Sequence, residues 1–545
     1  MKTTGITSAR IINTKGLEPY DGTWDFKAAA HLLRRTTYGA RKQDIQEAVD
    51  IGLESIIDQL LSEKPLPTEP IIYSYDEDPN AAIGDSWINQ PYEEGENRNK
   101  IINERRKSLA AWTLQTLTNS GIHLREKMTL FWNNHFVTQS SVLKDPNLIY
   151  FHNNLLRRHA LGSFRTMAEE VTVSPSMLRY LNGNQNTRNA PNENYARELL
   201  ELFTVGKGAQ VGSGDYTTFT EQDVLAAAKV LTGWRDEGYY LRNADKPGSY
   251  FTINRHDVSE KVFSERLDDA VIYNRYGEEY KDLLRVLLKQ ENTALNLARK
   301  LYRWFVYYDI TDEIESTIIS GLAKRLIDND YEIKPVLRVL LQSAHFYEIC
   351  SVGPMIKNPM DFLVNLFRQF NISFPDNQVE AYIVNNEIIR DLEGFNFNYY
   401  EPPNVAGYKA YYQKPLYYRT WITAVTLPLR QAYTNVMSVG NINLRNTDAT
   451  LGIDILQHIS ELDSPSDPNQ LIQELEGIHL PQRLTESQRV GLKEILIPGL
   501  PDFEWTVEYG RYLENPEDDE IRQAVERKLR IFLISFLSLA EYNLS

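Results

Sequence analysis

The stretch Asn192-Glu193-Asn194-Tyr195-Ala196-Arg197-Glu198-Leu199-Leu200-Glu201-Leu202-Phe203 carries the pattern that decides the fold class of this chain. At about 100° per residue, Glu193, Arg197 and Glu201 fall on one line of a helix. The opposite arc is apolar and contains Tyr195, Leu199, Leu202 and Phe203. Asn192 is suited to cap the helix, and Glu193 in the first turn suits the helix dipole. We therefore predict an amphipathic helix that begins at Asn192 and packs on a core.

Helical spacing of apolar residues recurs along most of the chain. It predicts two helices within 26–61 and then helices near 101–117, 123–136, 223–234, 280–289, 293–308, 313–328, 333–343 and 359–370. Further helices are predicted from there to the C-terminus. The exception is 239–254, whose aromatic and β-branched runs predict a short β-hairpin. The predicted fold is therefore mainly α, a large irregular multi-helix body with one short hairpin.

Composition divides the chain into four segments. Residues 1–64 are N-terminal helices, and 101–430 form the main helical body. Residues 431–545 are a C-terminal helical segment, which we expect to pack on that body. Between 65 and 97 there are eight acidic residues, five prolines and no basic residue, so 65–100 is predicted to be a solvated, irregular, acidic surface insertion.

Charge and composition exclude several classes of protein. The net charge of -16, from 74 acidic and 58 basic residues, disfavours nucleic-acid binding, which normally needs a basic face. No apolar run is long enough to span a membrane. The N-terminal residues lack the apolar region of a secretory signal, so we predict a cytoplasmic location.

Motifs of familiar chemistry are also missing. Cys350 is the only cysteine, which excludes an intrachain disulfide and cysteine-based zinc sites. The sequence has no phosphate-binding loop, no zinc-protease motif and no nucleophile elbow. We therefore expect no cofactor, and the sequence leaves metal content open.

The charged side of the Asn192 helix is the first candidate site. Glu193, Glu198 and Glu201 are suited to bind a metal or to act as a general acid and base, and Arg197 is suited to hold an anion. The alternative is a solvated face on which Glu193 pairs with Arg197 and Arg197 with Glu201.

Two histidines are the other candidates. His135 continues an apolar stripe with Leu124, Met128 and Phe131, so it is either a buried histidine with satisfied nitrogens or a ligand or base in an apolar wall. His256 and Asp257 lie next to each other in a loop. They are suited to acid–base or metal chemistry, although a turn or cap role for Asp257 is the commoner explanation of such a pair.

Residues 399–418 contain seven tyrosines. Tyrosine combines a large apolar area with one polar tip, which suits protein interfaces and sugar platforms. The interface candidates are Tyr399, Tyr400, Tyr408, Tyr411 and Tyr412. The alternative is a structural loop that Pro402 and Pro403 hold against the body.

Taken together, these segments resemble the bacterial family known as domain of unknown function 1800. The resemblance covers nearly the whole chain. It rests on three segments already described, which are 29–39, the stretch from Asn192 to Thr204, and His256-Asp257. It also rests on four motifs: Phe131-Trp132-Asn133-Asn134-His135-Phe136, Leu231-Thr232-Gly233-Trp234, Arg299-Lys300-Leu301-Tyr302-Arg303-Trp304-Phe305-Val306 and Pro402-Pro403-Asn404-Val405-Ala406-Gly407-Tyr408. Relatives often carry a second histidine where this chain has Asn133 or Asn134, and a tryptophan where it has Tyr408. Many relatives are exported, whereas we predict that this chain is not.

The resemblance implies no particular reaction, but the family includes a cytoplasmic fibril protein of gliding bacteria. It therefore favours a structural protein that self-associates. The first alternative is an enzyme, such as a hydrolase, whose site draws on His135, Glu193, Arg197, Glu198, His256 and Asp257. The second is a non-catalytic protein- or glycan-binding module that uses the tyrosine-rich loop. The enzyme hypothesis requires the two histidines to reach Glu193 or Glu198; otherwise the charged stripe is a salt-bridged brace.

Overall fold

The computed structural model describes residues 16–74, 78–92, 95, 97–242, 245–348, 351–440, 442–444 and 447–545. Cys350 and the N-terminal residues on which the prediction of no secretory signal rests lie outside this part of the chain. The fold is mainly α, as predicted. Its first helices are α1 Phe26–Thr36, α2 Lys42–Leu60, α3 Arg98–Thr118, α4 Arg125–His135, α5 Ser140–Leu143, α6 Pro146–Arg158, α7 Phe164–Thr172 and α8 Pro175–Tyr180.

The middle of the chain continues the helical pattern. Helix α9 Glu193–Glu198 runs directly into a π-helical turn, Leu199–Phe203. The helices that follow are α10 Glu221–Val230, α11 Glu279–Lys289, α12 Glu291–Phe305, α13 Asp312–Ile314, α14 Ser320–Asp328, α15 Ile333–Gln342, α16 Pro359–Gln369 and α17 Gln378–Gly394. The C-terminal helices are α18 Thr426–Val439, α19 Ile455–Ser460, α20 Pro468–His479, α21 Glu486–Leu496, α22 Phe503–Glu514 and α23 Asp519–Leu537.

Local sequence explains where many of these helices begin. Asn192 caps α9 by accepting a hydrogen bond from the Asn194 backbone N–H. Thr220 and Asp223 form a reciprocal capping box at α10. Helices α6, α8, α16 and α20 carry proline in their first turn. Proline suits that place because its missing N–H has no partner there in any case.

The predicted hairpin is present, but its first strand lies earlier than expected. Strand β1 Trp234–Glu237 pairs antiparallel with β2 Gly248–Phe251, and Trp234 lies opposite Phe251. Tyr239–Leu241 forms a 3-10 turn instead, because Tyr240 and Leu241 adopt positive φ angles, which no strand accommodates. Two smaller antiparallel pairs are β3 Lys261–Val262 with β4 Val271–Ile272, and β5 Ile442–Asn443 with β6 Thr450–Leu451.

Between 65 and 97 the described residues form no helix and only isolated β-bridges, and they are not solvated throughout. Ile71, Ile72 and Trp87 are buried, and the Trp87 indole N–H donates to the Ser108 hydroxyl on α3 at 2.8 Å. The buried Arg105 guanidinium lies 2.8 Å from the Asp78 carboxylate. The apolar residues between the acidic ones therefore anchor the segment to α3.

A continuous hydrophobic core runs through the molecule. It contains residues from α1 to the C-terminal end, from Ala29 to Tyr542. The core holds α4, the π-helical turn and α12 side by side, through residues such as Phe131, Phe203 and Leu301. Among the described helices, none combines the length and the apolar composition that crossing a bilayer requires. The division into four segments stays a prediction.

Candidate functional site

The charged side of the Asn192 helix is a network of ion pairs. Arg197 lies 3.0 Å from the Glu193 carboxylate and 2.7 Å from that of Glu221 on α10, and these hydrogen bonds raise the pKa of Arg197. Glu201 pairs with Lys207 at 3.1 Å, not with Arg197 as its spacing predicts. Glu198 is half-buried, and burial together with nearby Glu201 raises its pKa. The stripe from Glu193 to Arg197 thus braces α9 against α10.

His256 belongs to a different, fully buried network. Its Nδ1 lies 2.9 Å from the Thr232 carbonyl oxygen, and its Nε2 lies 2.8 Å from Glu279 Oε1. The other Glu279 oxygen accepts from Lys261 Nζ at 2.6 Å. Burial raises the pKa of Glu279, but the hydrogen bonds from His256 and Lys261 outweigh it and lower the net pKa. This network ties the loop after the hairpin to α11.

Asp257 performs the turn role. Its carboxylate accepts from the Ser259 backbone N–H at 2.8 Å, and its own N–H donates to the Thr232 hydroxyl at 2.8 Å. Burial raises the pKa of Asp257, but the hydrogen bonds from Ser259 outweigh it, so the net pKa is lowered. The carboxylate therefore points to its own turn and does not pair with His256.

The six predicted site residues do not meet in one place. Glu193 and Arg197 bond to each other, His256 bonds to Glu279, and His135 bonds to neither group. Among the described residues, no group of three or more histidine, cysteine, aspartate or glutamate side chains is arranged to hold a metal ion. A single site built from all six residues is therefore not what the structure contains.

The tyrosine-rich loop is mostly packed against the body. Tyr399 and Tyr408 are buried, the Tyr400 hydroxyl lies 2.6 Å from that of Thr113, and the Tyr411 hydroxyl accepts from the Asn358 amide at 3.3 Å. Tyr412 has 39% of its surface exposed. The interface role of these tyrosines stays a prediction, and their placement leaves Tyr412 as the accessible one.

Asn133 and Asn134 hold this loop in place. The Asn133 amide donates to the Tyr399 carbonyl at 2.8 Å, and the Asn134 side-chain oxygen accepts from the Tyr408 N–H at 2.8 Å. Gly407 has φ +81°, and a Cβ there would lie 2.4 Å from the Asn134 oxygen. Glycine is required at this close approach. Asn133 and Asn134 therefore position the tyrosine-rich loop against α4.

His135 and Lys300 meet at the end of the π-helical turn. His135 Nε2 donates to the Phe203 carbonyl at 3.2 Å, so its Nδ1 is free to accept from Lys300 Nζ at 3.0 Å. Lys300 also donates to the Leu202 carbonyl at 2.6 Å, and the Asn296 amide donates to the Thr204 carbonyl at 2.7 Å. Carbonyls at a helix end lack partners within the helix, and side chains from α4 and α12 supply them here.

A cavity of about 680 Å³ opens beside this pair. We call it the Lys300 cavity. Helix α4, the π-helical turn, the loop that follows it, α12 and the tyrosine-rich loop form its walls. Its titratable side chains are those of His135, Glu201, Lys207, Arg299, Lys300, Arg303, Tyr411 and Tyr412, and its other aromatic residues are Phe131 and Trp304.

The cavity wall carries more positive than negative charge. Lys207 is paired with Glu201, and Arg299 lies 2.5 Å from Glu315. Lys300 and Arg303 have no ion pair within the part of the chain that the structure describes. Arg303 Nε donates to the Tyr308 carbonyl at 3.2 Å. Two cations on one face of α12 are therefore without a carboxylate partner.

Burial changes the protonation of these groups. Burial, together with the nearby Arg303 charge, lowers the pKa of Lys300 to about 7. Burial and the Lys300 charge hold the pKa of His135 well below its usual value. Burial also lowers the pKa of Arg303. Near neutral pH the cavity thus contains a neutral imidazole and a lysine that is partly neutral.

A family model described as "Protein of unknown function (DUF1800)" matches residues 31–501. The chain belongs to this family. No curated protein and no solved structure matches it. Four of the stretches that suggested the DUF1800 family supply walls of the Lys300 cavity: those that contain His135, Leu202, Lys300 and Ala406.

The stretch 29–39, which also suggested the family, lies elsewhere and links α1 to distant helices. His31 Nε2 lies 2.9 Å from the Phe346 carbonyl, and Arg35 Nε donates to the Phe305 carbonyl at 2.9 Å. Arg34 donates to the carbonyls of Ile478 and Leu480. These long polar side chains form hydrogen bonds with backbone carbonyl groups near the ends of distant helices. The bonds help to hold those helices against α1.

Sequence reasoning identified His135 but not Lys300 or Arg303. Both lie in the quoted stretch Arg299-Lys300-Leu301-Tyr302-Arg303-Trp304. Three basic residues within five positions, with no acidic residue between them, were the available signal. A basic helix face is usually solvated, so the pattern alone did not indicate a cavity.

Proposed function

We propose that the chain binds a small anionic molecule in the Lys300 cavity. The observation that carries this proposal is the pair Lys300 and Arg303, two basic side chains on one cavity wall without carboxylate partners among the described residues. Withdrawing a cation from water is costly unless an opposite charge compensates it. An anionic ligand would provide that charge, and the excess is local, since the whole chain carries a net charge of -16.

The shape and chemistry of the cavity support the same proposal. Its volume of about 680 Å³ is in the range usual for small-molecule sites, roughly 300–1,000 Å³. Arginine suits the recognition of carboxylates and phosphates because its planar group donates two parallel hydrogen bonds. Phe131 and Trp304 supply apolar surface for the remainder of a ligand, and Asn292 and Asn296 supply amides.

Calorimetric titration with oxalate and with inorganic phosphate tests this proposal. We expect at least one anion to bind the wild type, and Arg303→Gln to weaken that binding by roughly 10- to 100-fold. This corresponds to the loss of hydrogen bonds to a charged group, about 1.5–3 kcal/mol. Arg165→Gln is the matched control, because Arg165 pairs with Asp330 on the surface. Absence of binding by both anions, or equal affinity in the two variants, would contradict the proposal.

A second candidate function is self-association of two copies of the chain. One observation favours it: the N-cap residue Val425 and the outer side of α18 form an exposed stripe with Leu429, Ala432, Val436 and Val439, spaced as on one helix face. No charged side chain is exposed between 423 and 439. The small Ala432 lies at the centre of this α18 stripe with larger apolar residues on both sides, so two copies can pair antiparallel about a two-fold axis.

Sedimentation analysis across ionic strength tests this candidate. We expect association to strengthen as salt screens the repulsion between two chains of net charge -16. Val436→Glu should weaken association by about tenfold or more, since it places a charge in the apolar contact. Ile253→Glu is the control, because Ile253 is comparably exposed, at 63%, but lies outside the stripe. Monomer at every salt concentration would reject self-association. The fibril-type role, the cytoplasmic location and a glycan- or protein-binding role for the tyrosine-rich loop stay predictions.

A further inference from the structure

We infer that the amine of Lys300 forms an imine with the carbonyl group of a small 2-oxo acid whose carboxylate Arg303 binds. This inference rests on the proposed function, since it names the class of anion that the Lys300 cavity takes. Lys300 is the nucleophile, Arg303 binds the substrate, and His135 positions the amine.

The hydrogen bonds of Lys300 leave its nitrogen lone pair available. A neutral amine has two N–H groups and one lone pair. The Leu202 carbonyl accepts one N–H, at 2.6 Å, and His135 Nδ1 accepts the other, at 3.0 Å. The His135 tautomer is fixed by the bond from its Nε2 to the Phe203 carbonyl. Both N–H groups are therefore held by the protein wall, and the lone pair is the remaining position on the nitrogen.

The spacing on α12 suits a molecule with adjacent carboxylate and carbonyl groups. Lys300 and Arg303 are three residues apart and both line the cavity, and residues at this spacing are neighbours on a helix surface, with Cβ atoms about 5–6 Å apart. A carboxylate on the Arg303 guanidinium therefore brings the next carbon of a 2-oxo acid toward Lys300. A simple carboxylic acid would bind the same arginine without an electrophilic carbon at that point.

The reaction balances without any further reagent. The Lys300 nitrogen donates its lone pair to the carbonyl carbon, and a C–N bond forms. The carbonyl oxygen leaves as water and takes the two hydrogens that the nitrogen loses. His135 Nδ1, which accepts one of these N–H groups, is placed to pass a proton to the departing oxygen. The product is an imine, and no oxidation or reduction occurs.

The protonation of Lys300 supports this chemistry. Its pKa of about 7 leaves a substantial fraction of the amine neutral at physiological pH, and only the neutral amine is a nucleophile. The charged and titratable groups around it are His135 on α4, Glu201 and Lys207 beside the π-helical turn, Arg299 and Arg303 on α12, and Tyr411 and Tyr412 in the tyrosine-rich loop. The Arg303 charge disfavours a second positive charge on Lys300, which helps to keep part of the amine neutral.

Borohydride trapping tests the inference on the wild-type chain. The protein is incubated at pH 7 with glyoxylate, pyruvate or 2-oxoglutarate and reduced with sodium cyanoborohydride, and the modified lysines are located by peptide mass spectrometry. We expect Lys300 to be modified at least tenfold faster than the exposed Lys289 and Lys324, whose side chains are 75% and 74% accessible. Arg303→Gln should remove most of this preference, and oxalate, which has no ketone or aldehyde carbonyl, should compete with the modification.

The outcomes separate the two proposals. If all three oxo acids modify Lys300 no faster than the exposed lysines, the imine inference is overturned; calorimetric binding of oxalate that Arg303→Gln weakens would then leave the anion-binding proposal standing. Failure of both experiments overturns both. Should Arg303→Gln fold poorly, Arg303→Lys retains the charge but loses the planar fork, and a reduced preference for Lys300 in that variant also supports the inference. Unchanged modification in a folded Arg303 variant counts against it.

Discussion

Replacing Glu279 by alanine should lower the free energy of unfolding by about 3–5 kcal/mol, the usual cost of removing one partner from a buried ion pair. Glu279, Lys261 and His256 all have side chains with no exposed surface. Without Glu279 the Lys261 ammonium is left buried without a carboxylate, and His256 Nε2 loses its acceptor. The effect is large because the side chains left without their partner are buried away from solvent.

Urea denaturation of Glu279→Ala and of Glu193→Ala measures how much each substitution lowers the free energy of unfolding. Glu193 is also paired, with Arg197, but its side chain is 42% exposed, so its removal should cost about 0–1 kcal/mol. The comparison distinguishes the buried His256 network from the solvated brace on α9. Equal costs for the two variants would show that the buried network contributes no more than a surface pair, contrary to the structure.

Acid should destabilise the fold through its buried histidines. Burial lowers the pKa of His31 to about 3, and that of His152 and of His458 to about 4, from 6.5 in the unfolded chain. Below pH 6.5 the unfolded chain therefore binds more protons than the folded one. Stability is fully present above pH 6.5 and is lost as the pH falls, by about 3 kcal/mol for each histidine at pH 4.

Asp391 acts in the opposite direction, because burial and nearby Glu387 raise its pKa to about 6. It is a single half-buried group, so we expect the three histidines to dominate. Stability measured in urea at pH 7 and pH 4 tests this. His152→Asn keeps a donor for the Phe136 carbonyl, which His152 Nε2 contacts at 2.8 Å, and should reduce the loss between the two pH values by about 3 kcal/mol. Comparison at pH 7 gives the cost of the substitution itself, and an unchanged loss would contradict the assignment.

The sequence pattern predicted those elements whose structure depends mainly on residues close to one another in the chain. The start of α9 at Asn192 followed from its cap and apolar spacing, and the second hairpin strand followed from the aromatic pair Tyr250-Phe251. The π-helical turn that ends this helix was not predictable from local spacing. Its carbonyls are satisfied by Lys300 and His135, and Lys300 is 98 residues away from Leu202 in the chain. The first hairpin strand was displaced because the backbone at Tyr240 turns to positive φ.

Part of the candidate site was also predictable, because it depends on residues close to one another in the chain. His135 lay on an apolar stripe, which indicated burial. Arg197 was expected to pair with Glu193 and does, whereas its partner Glu221 comes from another helix, and spacing within one helix cannot reveal it. Lys300 appeared as an ordinary basic residue, because its burial depends on how α12 packs against the π-helical turn. In the acidic insertion, Trp87 is a residue type that usually packs on a core, but the many acidic residues around it favoured the prediction of a solvated segment.

The central claim is that the Lys300 cavity binds a small anion, and anomalous diffraction from crystals soaked in selenate tests it most directly. Selenate is a tetrahedral oxyanion whose selenium atom can be located without ambiguity. The structure predicts an anomalous peak inside the Lys300 cavity, within hydrogen-bond reach of the Arg303 guanidinium, and loss of that peak in Arg303→Gln crystals. Selenate bound at surface sites with none in the cavity would contradict the claim.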